Sequence, residues 1–374
     1  MELIVMAIIL AAVLTGQYLL YAKTGLKNVS YRLHISTPEA FEGDEIDIIE
    51  EIENAKWLPL PWIRTEISCS RWLAFKGQQQ SGADRNEQRG LVSSVFVLKG
   101  WQKCRRVWKV RCEKRGVFSV ENSTLTVSDL FGLAKPAEVF KHDQTVRVLP
   151  VPADLDSIQQ SREAFIGDMQ VQRFVLPDPF MISGAKEYTG REPMNRIHWA
   201  QTARTGTLMA YNNEFTTERS VMVVLNMQRT YADTRQKLSA SYLEGAIKAA
   251  AFMLDEGSSA RADVGIMINS AEPLIIEPAS GYEHIIRALR ALAELKNSCG
   301  EHIDDFLMRQ DFHGYTDIVF ISVFLSEKSA ELLRGLTAAG KCVTVFTNEL
   351  EETDFCDVRH IPHGRYYPTE GGDL

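Results

Sequence analysis

Cysteine is scarce and scattered. The six residues Cys69, Cys104, Cys112, Cys299, Cys342 and Cys356 lie far apart in 374 positions, with neither the density of a disulfide framework nor the Cys-x-x-Cys spacing of a zinc site. Reduced thiols in a cytosolic setting fit that usage. An excess of positive charge is also missing. The formal net charge is -8 at pH 7, so nucleic-acid binding driven by phosphate neutralisation is not expected. No Gly-x-Ser-x-Gly elbow, His-Glu-x-x-His pair or Gly-x-Gly-x-x-Gly turn occurs, which leaves hydrolase, zinc-protease and dinucleotide readings without local support. Finally, Lys and Arg are absent from the first 22 positions, although a cleaved secretion signal normally opens on them.

What is present starts with a span. Leu3–Ala22 hold no charged side chain and are rich in Leu, Ile, Val and Ala, and about twenty such residues cross a bilayer. Tyr18 and Tyr21 fall at the C-terminal end of the run, where interfacial aromatics belong. Glu2 precedes the run, while Lys23, Lys27 and Arg32 follow it. The positive-inside rule then makes residues 1–24 a single-pass anchor in the cell membrane and leaves the bulk of the chain cytoplasmic. The whole chain is 45% hydrophobic and 24% charged, ordinary for globular sequence, and it is too long for one typical core, so two folded domains are expected.

Residues 29–150 read as an antiparallel β-sandwich, with short strands separated by polar turns. Glu45-Ile46-Asp47-Ile48 alternates acid and isoleucine, which turns carboxylates to water and isoleucines to a core. Trp108, Val110 and Cys112 are expected on one strand face, opposite Lys109, Arg111 and Glu113. The polar stretch Gly77–Gly90 suits an exposed loop. Glu39–Glu53 holds eight acids and no base, and Lys99–Arg115 eight bases and one acid. Two strands pairing across a sheet would match these charges. Alternatively, the basic stretch, with Trp101 and Trp108 interleaved, lies against anionic lipid headgroups.

Residues 151–219 form a connecting region, and from 220 to 374 strands and helices alternate as in a parallel α/β domain. Strands are expected at Val221–Leu225, Ala262–Asn269, Leu274–Glu277, Asp317–Val323 and Cys342–Thr347. Leu243, Ile247, Ala250 and Leu254 recur at helical spacing, with Gly257 where a C-cap falls. Glu283–Leu295 and Glu327–Ala339 read as two further helices, and the tail from Glu349 onward as mostly irregular.

The connecting region carries the most distinctive residues: Gly184-Ala185-Lys186-Glu187-Tyr188, then Asn195-Arg196-Ile197-His198-Trp199, then Thr202-Ala203-Arg204-Thr205-Gly206. Physically, Pro193 suits a first helical turn and Gly206 its end. That helix is expected to be a structural joint, its arginines paired with Glu187 or Glu192 and the Trp199 indole packed on the α/β domain. The functional alternative is an anion or partner-peptide site built on Arg196 and Arg204. The pattern resembles the central signature of the domain of unknown function 58 family. Phe41-Glu42-Gly43, Asn54 with Leu58-Pro59-Leu60, Arg115-Gly116-Val117-Phe118 and Ser128-Asp129-Leu130-Phe131-Gly132-Leu133 resemble that family's sandwich region. The signature departs from the family at Arg191 and Glu192, where Gly-Asp is usual. The resemblance implies an N-terminal membrane segment, a von Willebrand factor A-like (Rossmann-like) second half, and association with a MoxR-type AAA+ ATPase. It implies no enzymatic chemistry.

A metal-binding von Willebrand A domain places Asp-x-Ser-x-Ser after its first strand. The aligned residues here are Asn226, Gln228 and Thr230. The leading carboxylate has become an amide, so the ion position is degenerate and no metal or other cofactor is expected. Two further patterns mislead. Gly335-Leu336-Thr337-Ala338-Ala339-Gly340-Lys341-Cys342 nearly spells a phosphate loop but ends a helix and opens a strand, the reverse of the required context. Cys356, His360 and His363 have ligand-like spacing around Pro362, but a surface tail with incidental histidines explains them.

The expectation is therefore a membrane-anchored, non-enzymatic adaptor or scaffold that works with a MoxR-type ATPase in envelope assembly or stress response. Partner contact is expected at the C-terminal strand ends, around Asn226–Thr230 and Phe324–Glu327. The alternative is a small-anion or nucleotide sensor, or an enzyme, using Arg196, Arg204 and Glu187.

Overall fold

The computed structural model describes residues 2–77, 81–82, 89–152, 182–189, 194, 197–213, 219–228, 240–260, 262–296, 298–347 and 356–359. Of the sequence expectations, most of the Gly77–Gly90 loop, Glu192, Pro193, Arg196, Thr230, His360 and His363 lie outside these residues. Helix α1 (Glu2–Thr24) is long and apolar enough to cross a membrane, with a mean hydropathy of 2.3 over its most apolar 18-residue stretch. Its last turns are not free of the body that follows. Tyr21 is buried in the neighbouring core, and its hydroxyl donates to the Pro59 carbonyl at 2.9 Å. The Lys56 Nζ donates to the Gly25 and Lys27 carbonyls, both at 2.8 Å. Burial pushes that ammonium down to about 8.

Ten strands then build two sheets around one core. One sheet runs in the order β1 (Val29–Ile35), β3 (Glu45–Asn54), β8 (Gln102–Cys112) and β5 (Leu73–Phe75). The other runs β2 (Glu39–Phe41), β10 (Ala137–Leu149), β9 (Gly116–Ser128), β4 (Leu60–Ser70), β7 (Arg89–Leu98) and β6 (Ser81–Gly82). The two charge blocks meet as adjacent strands, with Asp47 opposite Lys109, Glu51 opposite Arg105 and Glu53 opposite Lys103. Lys109 bridges Asp47 at 2.7 Å and Lys103 bridges Glu51 at 2.8 Å. The basic stretch is thus committed to β3, and the lipid-facing alternative fails for Trp108, which is buried with Val110 and Cys112 as the alternation requires. Glu50 departs from the pattern of outward acids. Its carboxylate is buried and accepts from the Tyr31 hydroxyl and the Trp108 indole, both at 3.0 Å. Burial, and then the Glu50 charge, push the Tyr31 hydroxyl far up.

A small antiparallel pair, β11 (Ile182–Glu187) and β12 (Met209–Asn213), flanks the short helix α2 (Trp199–Thr205). The last unit is a six-stranded sheet in the order β15 (Leu274–Ala279), β14 (Asp263–Ile268), β13 (Ser220–Leu225), β16 (Asp317–Ile321), β17 (Cys342–Phe346) and β18 (Asp357–Arg359). All neighbours are parallel except β15, an antiparallel edge. Helices α3 (Ala240–Ser259) and α4 (Tyr282–Glu294) cover one face, where Val221, Val223 and Leu225 point. Helices α5 (Ile303–Met308) and α6 (Glu327–Ala338) cover the other, where Met222 and Val224 point. Gly257 lies inside α3 and does not cap it, and glycine is needed there because a Cβ would collide with the Val264 side chain. The tail expected to be mostly irregular contributes β18 to the sheet edge.

The sandwich docks on the α3–α4 layer. Phe41 and Leu149 join that core, and Arg115, at the β8–β9 turn, is buried within the contact. Its guanidinium forks onto Glu244 (Nε to Oε2 2.8 Å, Nη2 to Oε1 3.2 Å) and donates to the Leu292 carbonyl at 2.7 Å. Glu39 bridges Arg290 at 2.7 Å and Arg147 at 2.9 Å, and Lys248 bridges Glu42 at 2.8 Å. The Arg290 bond, helped by Arg147, holds the Glu39 carboxyl below the usual range. Its contribution is therefore present above the unfolded value of about 4.3 and is lost as pH falls through the lower folded one.

Two outcomes follow from this packing. Arg115→Ala leaves the buried Glu244 carboxylate with only the Lys114 ammonium, 4.0 Å away, and is expected to cost about 3 kcal/mol of stability, the low end for a broken buried pair, read by urea denaturation of the detergent-solubilised chain. A loss under about 1 kcal/mol, the range of exposed pairs, would show that water reaches the pair. Burial also raises the Cys69 thiol to about 12 and, with the Asp44 charge, the Cys112 thiol to about 11, whereas Cys299 is exposed. A maleimide at about pH 8 is expected to modify Cys299 in the folded protein and to reach Cys69 and Cys112 only in denaturant.

Candidate functional site

In an open α/β sheet, ligands favour the crevice where the chain switches direction, beyond the strand carboxyl ends. Here the chain leaves β13 for β14 on one side and later enters β16 on the other. Four polar residues occupy that end. Asn269, Asn226, Ser322 and Thr347 follow directly on β14, β13, β16 and β17, and the strand registers place them in one row. None is more than 1% exposed.

The row is joined by hydrogen bonds. Asn226 Nδ2 donates to Ser322 Oγ at 2.8 Å, and Asn226 Oδ1 accepts from Asn269 Nδ2 and from the Gln228 backbone N–H, both at 2.9 Å. Acceptance from a backbone N–H fixes which amide atom is the oxygen. Asn269 Oδ1 takes the Met227 N–H at 2.6 Å, and Gln228 Oε1 takes the Ile303 N–H at 3.2 Å. Asp304, a buried carboxylate on α5, is claimed by the hydroxyls of Ser326, which caps the start of α6, and of Ser329 in its first turn. Both atoms of the Asn226 amide are thus bonded to protein across the switch point. No group of three or more His, Cys, Asp or Glu side chains suited to a metal ion occurs among the described residues.

Sequence reasoning singled out Asn226 and Gln228 but missed Asn269, Ser322 and Thr347. The available signal was the first polar residue after each apolar run. Of the positions expected to meet a partner, Asn226, Met227, Gln228 and Phe324 are buried, whereas Leu325 and Ser326 are half-buried and Glu327 is exposed.

The signature residues lie elsewhere. Helix α2 begins at Trp199, six residues after Pro193, because His198 caps it: its Nδ1 accepts the Gln201 N–H at 3.2 Å. Gly206 ends it as expected, in a left-handed conformation (φ 72°) that favours glycine. His198 also lies against Tyr211 with ring centroids 4.4 Å apart. Ile197 is the buried member of the element and bridges Ala210. Trp199 is 66% exposed, so its indole is not packed on the α/β domain. Arg204 and Glu187 are exposed and unpaired with each other, and Tyr188 is half-buried with its N–H on the Leu208 carbonyl. The phosphate-loop lookalike does end α6 and open β17, with Lys341 Nζ held by the Tyr315 and His313 carbonyls.

Residues 185–358 match the model of a family described as a protein of unknown function, DUF58, which supports that family for this part of the chain. No curated protein matches. Solved structures with partial likeness include the CARDB domain of a Pyrococcus furiosus protein, at 8% identity, 32% of this chain, 87% of that one and TM-score 0.21. Another is alpha-2-macroglobulin from Escherichia coli, at 13% identity, 33% of this chain, 23% of that one and TM-score 0.23. A third is Spo0M, a sporulation control protein from Bacillus subtilis, at 8% identity, 38% of this chain, 56% of that one and TM-score 0.19. Likeness at that level carries no weight for fold or function.

The polar row generates a test. Asn226→Asp keeps the acceptors for Gln228 and Asn269 but loses the donation to Ser322, at a cost of about 1–3 kcal/mol at neutral pH. Burial raises the introduced carboxyl above its unfolded value of about 3.9. The deficit is then complete above the raised value and shrinks as pH falls towards about 4. Urea midpoints at about pH 7 and pH 4.5 read both effects. A deficit that does not change with pH would place the carboxylate in contact with water.

Proposed function

We propose that this chain is a single-pass membrane protein that acts as a non-enzymatic adaptor, with a von Willebrand factor A-like domain whose ion position is degenerate. The observation that carries the reading is the Asn226 amide, bonded on both atoms to protein at the point where such a domain would hold its ion. A hard divalent cation needs anionic oxygen with a free lone pair. An amide already spent on Ser322, Asn269 and Gln228 offers none, and the same bonds close the crevice to a small substrate.

Retention of α1 is supported by its C-terminal turns. Cleavage near Ala22 would remove Tyr21 from the sandwich core and open its bond to Pro59. Lys23, Lys27 and Arg32 favour a cytoplasmic body. For partner contact, α2 is the better candidate than the strand ends. It presents Trp199 and Arg204 to solvent, with Met194 and Leu208 exposed nearby in sequence, and Trp and Arg are the residue types that dominate interface energetics. The DUF58 match, together with the resemblance that preceded it, makes a MoxR-type AAA+ ATPase the first partner to test.

Affinity capture of the tagged full-length chain from gently solubilised native membranes, with ATP and with ADP, is expected to recover such an ATPase. Trp199→Ala should reduce recovery at least tenfold, the effect of removing an interface anchor worth about 2 kcal/mol. Absence of any AAA+ ATPase under both nucleotide conditions sinks the partner. Saturable Mg²⁺ or nucleotide heats from the purified chain, abolished by Arg204→Ala, sink the non-enzymatic reading.

A further inference from the structure

We infer that the end of the sandwich beside α1 is seated in the bilayer interface. The Asp129–Leu133 turn enters the leaflet, and Trp57, Trp62 and Trp101 lie at headgroup level. The inference rests on reading α1 as a retained span.

The case begins with a length. Gln17 Nε2 reaches the Asp129 carboxylate at 3.5 Å, so the turn after β9 stands beside α1 about two helical turns before its end at Thr24. Between Glu2 and Gln17 the apolar run is only Leu3–Gly16, roughly 21 Å of helix at 1.5 Å per residue. A hydrocarbon core of about 30 Å is not crossed by that length. The span becomes long enough only if the part of α1 next to the turn is also in the membrane, which carries the turn in with it.

The turn is built for that position. Asp129 Oδ1 accepts the N–H groups of Leu133 (2.7 Å) and Ala134 (3.1 Å), and Asp129 itself is 3% exposed. The loop's one charge is therefore spent on its own backbone. Gly132, at φ 71°, lets the chain reverse. Leu130, Phe131 and Leu133 project outward, each more than half exposed. Ser128, at the start of the turn, pairs with Trp62 on β4. On the other side of the anchor exit, the Lys56 backbone carbonyl accepts the Trp101 N–H at 3.1 Å, while the Lys56 ammonium caps the last carbonyls after α1. Trp57 and Trp101, 69% and 73% exposed, thus flank the point where the anchor leaves the sandwich. Exposed Lys23, Lys27, Lys99 and Lys135 lie next in sequence to these elements. An apolar tip, exposed indoles and neighbouring lysines are the residue types that the successive layers of a bilayer surface favour. Any other occupant would have to share this patch with the membrane that α1 enters.

The test uses the full chain reconstituted in phosphatidylcholine–phosphatidylglycerol vesicles, with and without brominated acyl chains. Tryptophan emission is expected to be quenched by the brominated lipid. A variant with Trp57→Phe and Trp101→Phe should lose more than half of that quenching, and Trp199→Phe should keep it. All three side chains are exposed, and near-UV circular dichroism checks that the variants fold. If the chain resists alkaline carbonate extraction but its indoles are quenched by acrylamide and not by lipid, the anchor stands and the seated surface is refuted. Indoles shielded from both quenchers refute it too, in favour of a second copy or a protein cover. Release of the chain by carbonate overturns the anchor and this inference together.

Discussion

The Arg115 guanidinium fixes how this molecule is put together. It makes four hydrogen bonds, two to the Glu244 carboxylate on α3 and two to the Leu292 and Leu295 carbonyls at the end of α4. The carboxylate neutralises it, and the carbonyls lie at the negative end of a helix dipole. Both charges have left water, so separating them strands one or both without a partner. The surrounding Glu39–Arg290 and Glu294–Arg147 bridges are more exposed and worth less each, whereas Glu42–Lys248 is nearly as buried as the Arg115 pair. Together they act on register, because these partners meet only when the sandwich sits in one place on the α3–α4 layer. A joint of this kind holds one geometry or comes apart.

How much of this was legible in the sequence depends on how local each cause is. Alternation in β3 and β8 announces both the buried face and the cross-strand charge pairing, because period-two patterning needs only neighbours. Glu50 obeys the same alternation and so is carried inwards, yet nothing local says that Tyr31 and Trp108 will satisfy it. Arg115 reads as one of eight bases in a run, and its partner is 129 positions away. Gly257 looks like a cap because glycine usually is one near a helix end. The Val264 side chain that forbids a Cβ there belongs to the next strand. The three-residue β18 is too short to carry a pattern of its own. In the signature, Gly206 was readable as a helix end. The helix start was not, because it depends on the His198 ring accepting a backbone N–H.

The row Asn269, Asn226, Ser322 and Thr347 occupies the switch point of the α/β sheet. Strand ends there leave polar groups facing one another in a region closed to solvent, and each must find a partner or pay the cost of desolvation. A metal with carboxylates is one solution. The present one uses amides, which donate and accept at once and can therefore satisfy one another without an ion. That choice has a consequence for binding. A carboxylate site exchanges its water for a ligand, whereas a closed amide row gives up protein bonds to admit one. For the binding role proposed above, exposed side chains outside this row, such as Trp199 and Arg204 on α2, are therefore the better candidates.

The same logic governs the other end of the molecule. A membrane anchor joined to its domain by a flexible glycine–serine linker lets the domain tumble, and then neither the order of its surfaces nor their height above the bilayer matters. Here the link from α1 to β1 is four residues, Gly25–Asn28, and it is held from two sides. Tyr21 is packed in the sandwich core, and Lys56 is bonded to the carbonyls of Gly25 and Lys27. Orientation is then passed along the chain through packed contacts: from α1 to the sandwich by Tyr21, and from the sandwich to the α/β domain by Arg115. For the adaptor role proposed above, this property matters more than a binding pocket does. A partner engaging the α/β domain of a tethered but freely rotating protein pays for orientation on every encounter, while a body fixed to its anchor has already given up that freedom in folding.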